Sequence, residues 1–192
     1  VFNSTFLNNT YTNNVATGSA GAVLLANSYF ASLNVDMVRN TFTGNKAANY
    51  GGSMYVSSST TSDTITLNID SCSFNNSSTT LNTTQSHGGA LYLYCGQGTL
   101  NTVINHTGFT NNHSAARGGA IYAEVSNYDY LNLSLLNCNV SSNSSDLYGG
   151  GIYFASLGTT KFDMDKCTIK NNSAVSAIGG VYIYQNSFRF DA

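Results

Sequence analysis

The 192-residue chain contains no proline and no tryptophan, and glutamate occurs once, at Glu124. Charged residues make up 8% of it, against roughly 25% in an ordinary soluble domain. Each scarcity excludes something. Glu, Lys, Arg, Gln and Met are too few to build helices, whereas Asn, Ser, Thr, Tyr and Val are plentiful, a balance that favours strands joined by polar turns. Proline removes a backbone donor, so its absence suits a chain whose backbone is nearly all paired. A net charge of −2 provides neither the basic footprint of a nucleic-acid binder nor an acidic tail. No apolar run approaches the roughly 20 residues that span a membrane, and no signal peptide is visible. Val1 starts in mid-pattern, which is expected of a processed chain or a segment of a longer one.

What the chain does have is one phrase, repeated. FTNNHSAARGGAIY at 109 returns as YTNNVATGSAGAVL at 11, FTGNKAANYGGSMY at 42, VSSNSSDLYGGGIY at 140 and IKNNSAVSAIGGVY at 169. A sixth copy starts at Phe74 and carries five extra residues before Gly88–Gly89. Gly21, Gly52, Gly89, Gly119, Gly150 and Gly179 mark spacings of 31, 37, 30, 31 and 29 residues. A fixed period near 30 is the signature of a solenoid. Before the phrase, apolar residues alternate: Leu33, Val35, Met37; Ile65, Leu67, Ile69; Leu131, Leu133, Leu135; Phe162, Met164. After the glycines they alternate again, as in Leu91, Leu93, Cys95. Period two means strands with one buried face. The expected fold is therefore all-β, a right-handed parallel β-helix of about six coils over residues 1–192, rising about 4.8 Å per coil. The leucine-rich repeat is excluded because its L-x-x-L-x-L-x-x-N spacing is not met and its repeats are shorter.

The phrase assigns jobs. Tyr11, Phe42, Phe74, Phe109, Val140 and Ile169 point inward and stack. Three residues on, Asn14, Asn45, Asn112, Asn143 and Asn172, with Ser77 in the third coil, stand at a position where a repeated side-chain amide can bond the next coil as a ladder. The paired glycines fit a corner where a Cβ would clash. If Val23, Met54, Leu91, Ile121, Ile152 and Val181 face the core, the residues after them face out, which predicts an outer stripe of Tyr55, Tyr92, Tyr122, Tyr153 and Tyr182. Such a stripe is either a contact surface or simply what exposed strands prefer.

G-G-A-[ILV] together with F-x-x-N resembles the polymorphic outer-membrane protein repeats of chlamydial autotransporters and of large surface proteins in some protists. Gly89-Ala90-Leu91, Gly119-Ala120-Ile121, Phe42 with Asn45 and Phe109 with Asn112 carry the likeness. The other copies depart from it at Ser77, Val140 and Ile169. The resemblance implies a β-helix and a surface adhesin or structural protein rather than an enzyme. No C-terminal membrane barrel is among these residues, so the autotransporter architecture is not expected.

Eleven N-x-S/T sequons exceed what 26 Asn and 46 Ser plus Thr give by chance. They favour a secreted glycoprotein. Asn112 and Asn143 are both sequons and ladder positions, and a buried ladder amide cannot carry a sugar. N-linked glycans are expected at Asn3, Asn8, Asn76, Asn82, Asn105, Asn132, Asn139 and Asn171. The four cysteines suit two disulfides in that setting, Cys138–Cys167 between equivalent positions of adjacent coils and Cys72–Cys95 across one coil, or else a stack of free thiols.

Chemistry is thinly represented. Glycosidic hydrolysis needs paired carboxylates. Asp36 and Asp163 lie four coils apart, and Asp163 and Asp165 lie between Lys161 and Lys166 as a charge-balanced surface. Asp63, Asp70, Asp129, Asp146 and Asp191 are scattered. His87, His106 and His113 form no ligand motif and are expected at the surface; His87 aligns with Arg117 one coil on, a poor metal site. No metal, cofactor or catalytic residue is expected. The expected role is non-enzymatic: an extracellular structural or adhesive glycoprotein, a component of a surface fibre or filament that meets itself head to tail or laterally, or other surface proteins. The alternatives are a carbohydrate-binding or polysaccharide-cleaving β-helix and a bacterial autotransporter passenger.

Overall fold

The computed structural model describes residues 1–27, 32–81, 84–126 and 129–185. Those residues form strands and turns with no helix, wound into a parallel β-solenoid of about six turns with roughly 31 residues per turn. Every strand pairing is parallel, and each residue lies beside its equivalent one coil away. Tyr11, Phe42, Phe74, Phe109, Val140 and Ile169 form one such row. Three sheets make the wall: one of ten strands and two of six.

The alternating segments become strands because one face meets the interior. In Tyr130–Leu136 the odd positions Leu131, Leu133 and Leu135 are fully buried. A single core cluster runs through the coils, including Met37, Ile69, Ile104 and Leu135, which stack one above another. The phrase-leading aromatics stack with ring centroids 4.6, 4.5 and 4.8 Å apart from Tyr11 through Phe42 and Phe74 to Phe109. That spacing is the coil rise itself.

Three corners close each coil, and each uses a left-handed residue. Before the first sits Asn8, Arg39, Ser71, His106, Asn137 or Lys166; before the second Asn13, Gly44, Asn76, Asn111, Ser142 or Asn171. The third is opened by Gly51, Gly88, Gly118 or Gly149 in the four middle coils, as at Gly118 with φ +67°, and by Ala20 and Ile178 in the first and last. The second glycine is required for a different reason: a Cβ on Gly119 would fall on the carbonyl oxygen of Gly150 in the next coil.

Two features differ from the sequence expectation. The strand after the glycines and the alternating strand are continuous in Met54–Asp70 and Leu91–Asn105, with register irregularities between Cys95 and Thr99 where the chain bends. The five extra residues of the third coil fall between Leu81, whose N–H bonds the Ala48 carbonyl, and His87, whose N–H bonds the Asn49 carbonyl.

Phe74 is fully buried between two rings. Phe74→Ala is expected to lower stability by about 3–5 kcal/mol, read as a shift in the urea midpoint, whereas Phe2→Ala, at a site 70% exposed, should leave the midpoint nearly unmoved.

Candidate functional site

Inside the second corner, Asn amides connect the coils. The Asn143 side-chain oxygen accepts from the Asn112 backbone N–H at 2.9 Å and from its amide NH2 at 3.0 Å, and Asn112 also donates to the Phe74 carbonyl at 2.9 Å. Asn172 accepts from Asn143 in the same way, and Asn45 from Asn14. Ser77 is too short to continue the series. Ser53 fills the gap: Asn45 donates to its hydroxyl at 3.2 Å, and that hydroxyl meets the Ser77 hydroxyl at 2.6 Å. The other coils carry Ala or Gly at the Ser53 position.

A second series, not recognised in the sequence, lines the first corner at Asn40, Cys72, Thr107, Cys138 and Cys167. Asn40 donates to the Phe6 carbonyl of the preceding coil. The thiols of Cys72, Cys138 and Cys167 do the same to Met37, Ile104 and Leu135 at 3.3–3.4 Å. Thr107 accepts from the Cys72 N–H and returns its own proton to Asn105. The signal was available: these residues all stand two places before the stacked aromatic or aliphatic.

All four cysteines are free thiols in the structure. Cys138 and Cys167 occupy adjacent coils, and burial, with Cys167 nearby, pushes the Cys138 thiol up to about 11. Cys72 and Cys95 do not meet. Cys95 lies near the start of Leu91–Asn105, while Cys72 is level with Thr107, just past that strand's far end. Burial and then Asp129 raise the Cys95 thiol to about 11.

Among the sequons, Asn3, Asn8, Asn76, Asn132, Asn139 and Asn171 are exposed, and Asn105 is half-buried against Asp70. Asn112 and Asn143 are each 1% exposed. Asn82 and Asp191 lie outside the described residues.

The five tyrosines stack on the side of the sheet away from the core, 4.9–5.1 Å apart from Tyr55 to Tyr182. They do not form an open stripe. Tyr92, Tyr122 and Tyr153 are 4%, 3% and 7% exposed and make a second apolar cluster. Two columns lean over them: Tyr50, His87, Arg117 and Tyr148 from the glycine corner, and Tyr94, Glu124, Ala155 and Tyr184 from two positions further along the strand. The Glu124 carboxylate accepts from the Tyr92 and Tyr122 hydroxyls at 3.0 and 3.2 Å. Burial, followed by that carboxylate, raises both phenols well above their usual range. His87, expected at the surface, is instead 7% exposed and lies flat on Tyr122, centroids 4.3 Å apart. Its Nδ1 has no partner, and burial, then Arg117, lowers its pKa to about 3. The Arg117 guanidinium sits over the Tyr148 and Tyr153 rings at 5.8 and 5.7 Å.

The acids are dispersed. Asp36 accepts from Asn68, Asp129 from the Gly98 N–H, Asp163 pairs with Lys161 at 2.7 Å and Asp165 with Lys166 at 3.9 Å. His106 lies 3.6 Å from Asp70 and His113 3.8 Å from Asp146. Among the described residues no three His, Cys, Asp or Glu stand close enough to hold a metal ion.

The stretch from Phe109 through Asn112 and Gly118 to Glu124 thus contains a stacked aromatic, a ladder amide, a glycine corner and the start of the tyrosine face. Residues 109–124 match the family model of the Chlamydia polymorphic membrane protein (Chlamydia_PMP) repeat. The match spans 16 of the 192 residues, and over them the chain is similar to that repeat. No curated protein and no solved structure matches the chain. No helix of the described residues is long and apolar enough to cross a membrane.

Two outcomes follow from the buried polar groups. Asn112→Ala strands the Ser77 N–H and the Phe74 carbonyl and should cost roughly 1–3 kcal/mol for each. Ser77→Asn with Ser53→Ala should restore an unbroken ladder and recover stability relative to either single change, as measured by denaturant midpoints. His87 takes up a proton near pH 6.5 when unfolded but only near pH 3 when folded. The unfolded state therefore binds more protons between those values, and stability falls as pH drops through that window. From pH 7 to pH 5 the loss should be about 2 kcal/mol, and His87→Gln should remove that share of the slope.

Proposed function

We propose that the chain is a non-enzymatic, extracellular segment of a surface protein, a β-helical rod with a structural and adhesive role. The observation that carries this reading is the surface-protein repeat at 109–124, set in register within coils that restate its geometry. Two further features support it. The interior is filled with side chains from wall to wall, so the outer faces are what other molecules meet. Those faces are short of charge but rich in exposed Asn within sequons, which suits N-linked glycans at Asn3, Asn8, Asn76, Asn132, Asn139 and Asn171, and at Asn105 once its side chain swings out. Among the described residues, the outermost strands Phe2–Leu7 and Val181–Gln185 each pair on one side only, and Val15, Val175 and Ile183 in the end coils are exposed. Those open rungs suit a further coil, supplied by more chain or by a second copy in a filament.

A bacterial autotransporter passenger is the second reading, favoured by the Chlamydia origin of the matched repeat. Antibodies raised against the 192 residues should label intact, unpermeabilised cells of the source; labelling only after permeabilisation overturns the surface reading. Peptide-N-glycosidase treatment of native material separates the two forms of it. A mass decrease, with aspartate appearing at the exposed sequons and not at Asn112 or Asn143, supports the glycoprotein. An unchanged mass favours the bacterial passenger.

A further inference from the structure

The column that leans over the tyrosine stack from the strand side is not uniform. In register it reads Ser57, Tyr94, Glu124, Ala155, Tyr184. Ala155 contributes one methyl group where its neighbours contribute a carboxylate arm and a phenol. Beside Ala155 lies a cavity of about 390 Å³, inside the range of roughly 300–1,000 Å³ typical of small-molecule sites. Arg117, Glu124, Tyr148, Tyr153 and Tyr184 are among the residues that line it.

The chemistry of these groups selects a ligand class. Glu124 is held in place by two phenols, so its carboxylate is an oriented acceptor. Arg117 rests on two rings and, among the described residues, forms no ion pair, which leaves guanidinium N–H groups as donors. The two charges cancel, so an anion would face Glu124 and a cation would face Arg117, and a wholly apolar guest would desolvate both at a cost. A neutral guest rich in hydroxyls satisfies both. Tyr184 is 44% exposed and, among the described residues, stacks on no other ring, which leaves its face to the C–H side of a sugar ring. We propose that this cavity binds a neutral pyranose unit, with Tyr184 as the stacking platform, Glu124 accepting from its hydroxyls and Arg117 donating to them.

This gives the adhesive role a ligand class. It draws its biological meaning from the surface reading, but its test needs only purified protein, so a failure here leaves cell labelling untouched. The purified 192-residue chain is titrated with neutral tetrasaccharides of glucose, galactose, mannose and N-acetylglucosamine, followed by saturation-transfer NMR and calorimetry. At least one should bind with a Kd in the millimolar range or tighter, with little change between 50 mM and 500 mM salt. Ala155→Tyr restores the missing side chain and should weaken binding at least about tenfold while the melting temperature holds. Tyr184→Ser, at an exposed position, should weaken it similarly and serves if the filled cavity perturbs folding. No binding by any neutral tetrasaccharide, or unchanged affinity in both variants, overturns the proposal.

Discussion

A strand that turns a corner inside a parallel stack leaves carbonyl groups pointing at the interior, and something must donate to them there. No coil of this solenoid can satisfy its own backbone; each depends on the coils above and below. The corners must therefore superpose, and the chain achieves this with a left-handed residue followed by an inward-pointing donor. At one corner the donor is an Asn amide. At the other it is Asn, a thiol or a threonine hydroxyl, depending on the coil. All are short and uncharged; the amides and thiols reach carbonyls of the preceding coil, while the Thr107 hydroxyl donates within its own coil, to the Asn105 carbonyl. A formal charge at these buried positions would lack a partner, which is one reason why so little charge occurs in the sequence.

How much of this was legible depended on whether a feature lies within the repeated phrase. The period, the stacked Phe42, Phe74 and Phe109, the glycine corner and the position of Asn112 are all local and recur at one spacing, so they can be read by superposing copies. The burial of Tyr92 and Tyr122 is not local. It comes from His87 and Arg117, which precede the glycines, and from Glu124, which follows them; none of the three recurs in the other coils. The sequence allows a Cys72–Cys95 bridge across one coil. The continuity of Leu91–Asn105 separates the two: Cys95 lies near its start, and Cys72, in the preceding coil, is level with Thr107 just past its far end. Cys72, Cys138 and Asn40 were aligned in the sequence, but a shared role for a thiol and an amide is visible only when both are seen donating to equivalent carbonyls.

The tyrosine layer also changes the character of the sheet that bears it. Strands such as Ile121–Val125 bury side chains on both faces, Ile121, Ala123 and Val125 toward the coil interior and Tyr122 in the tyrosine layer outside. Parallel sheets are usually covered on both sides, most often by helices. Here the cover is made by the sheet's own side chains, stacked at the coil rise and sealed at the edges by His87, Arg117 and Glu124. The variations in that cover, a carboxylate in one coil and a methyl group in the next, distinguish one level of the rod from another on an otherwise repetitive surface.

The orientation of the backbone hydrogen bonds has a mechanical consequence. They run along the rod axis from coil to coil, while the covalent chain runs around it. Tension applied at the two ends therefore peels coils away one after another instead of shearing a whole sheet at once. Each released coil frees roughly 31 residues, or about 100–110 Å of extended chain, in place of a single rung of about 4.8 Å. Pulled from its ends, such a rod lengthens more than twentyfold per coil and re-forms by rewinding on the coil that remains, an extensible tether built from rigid parts.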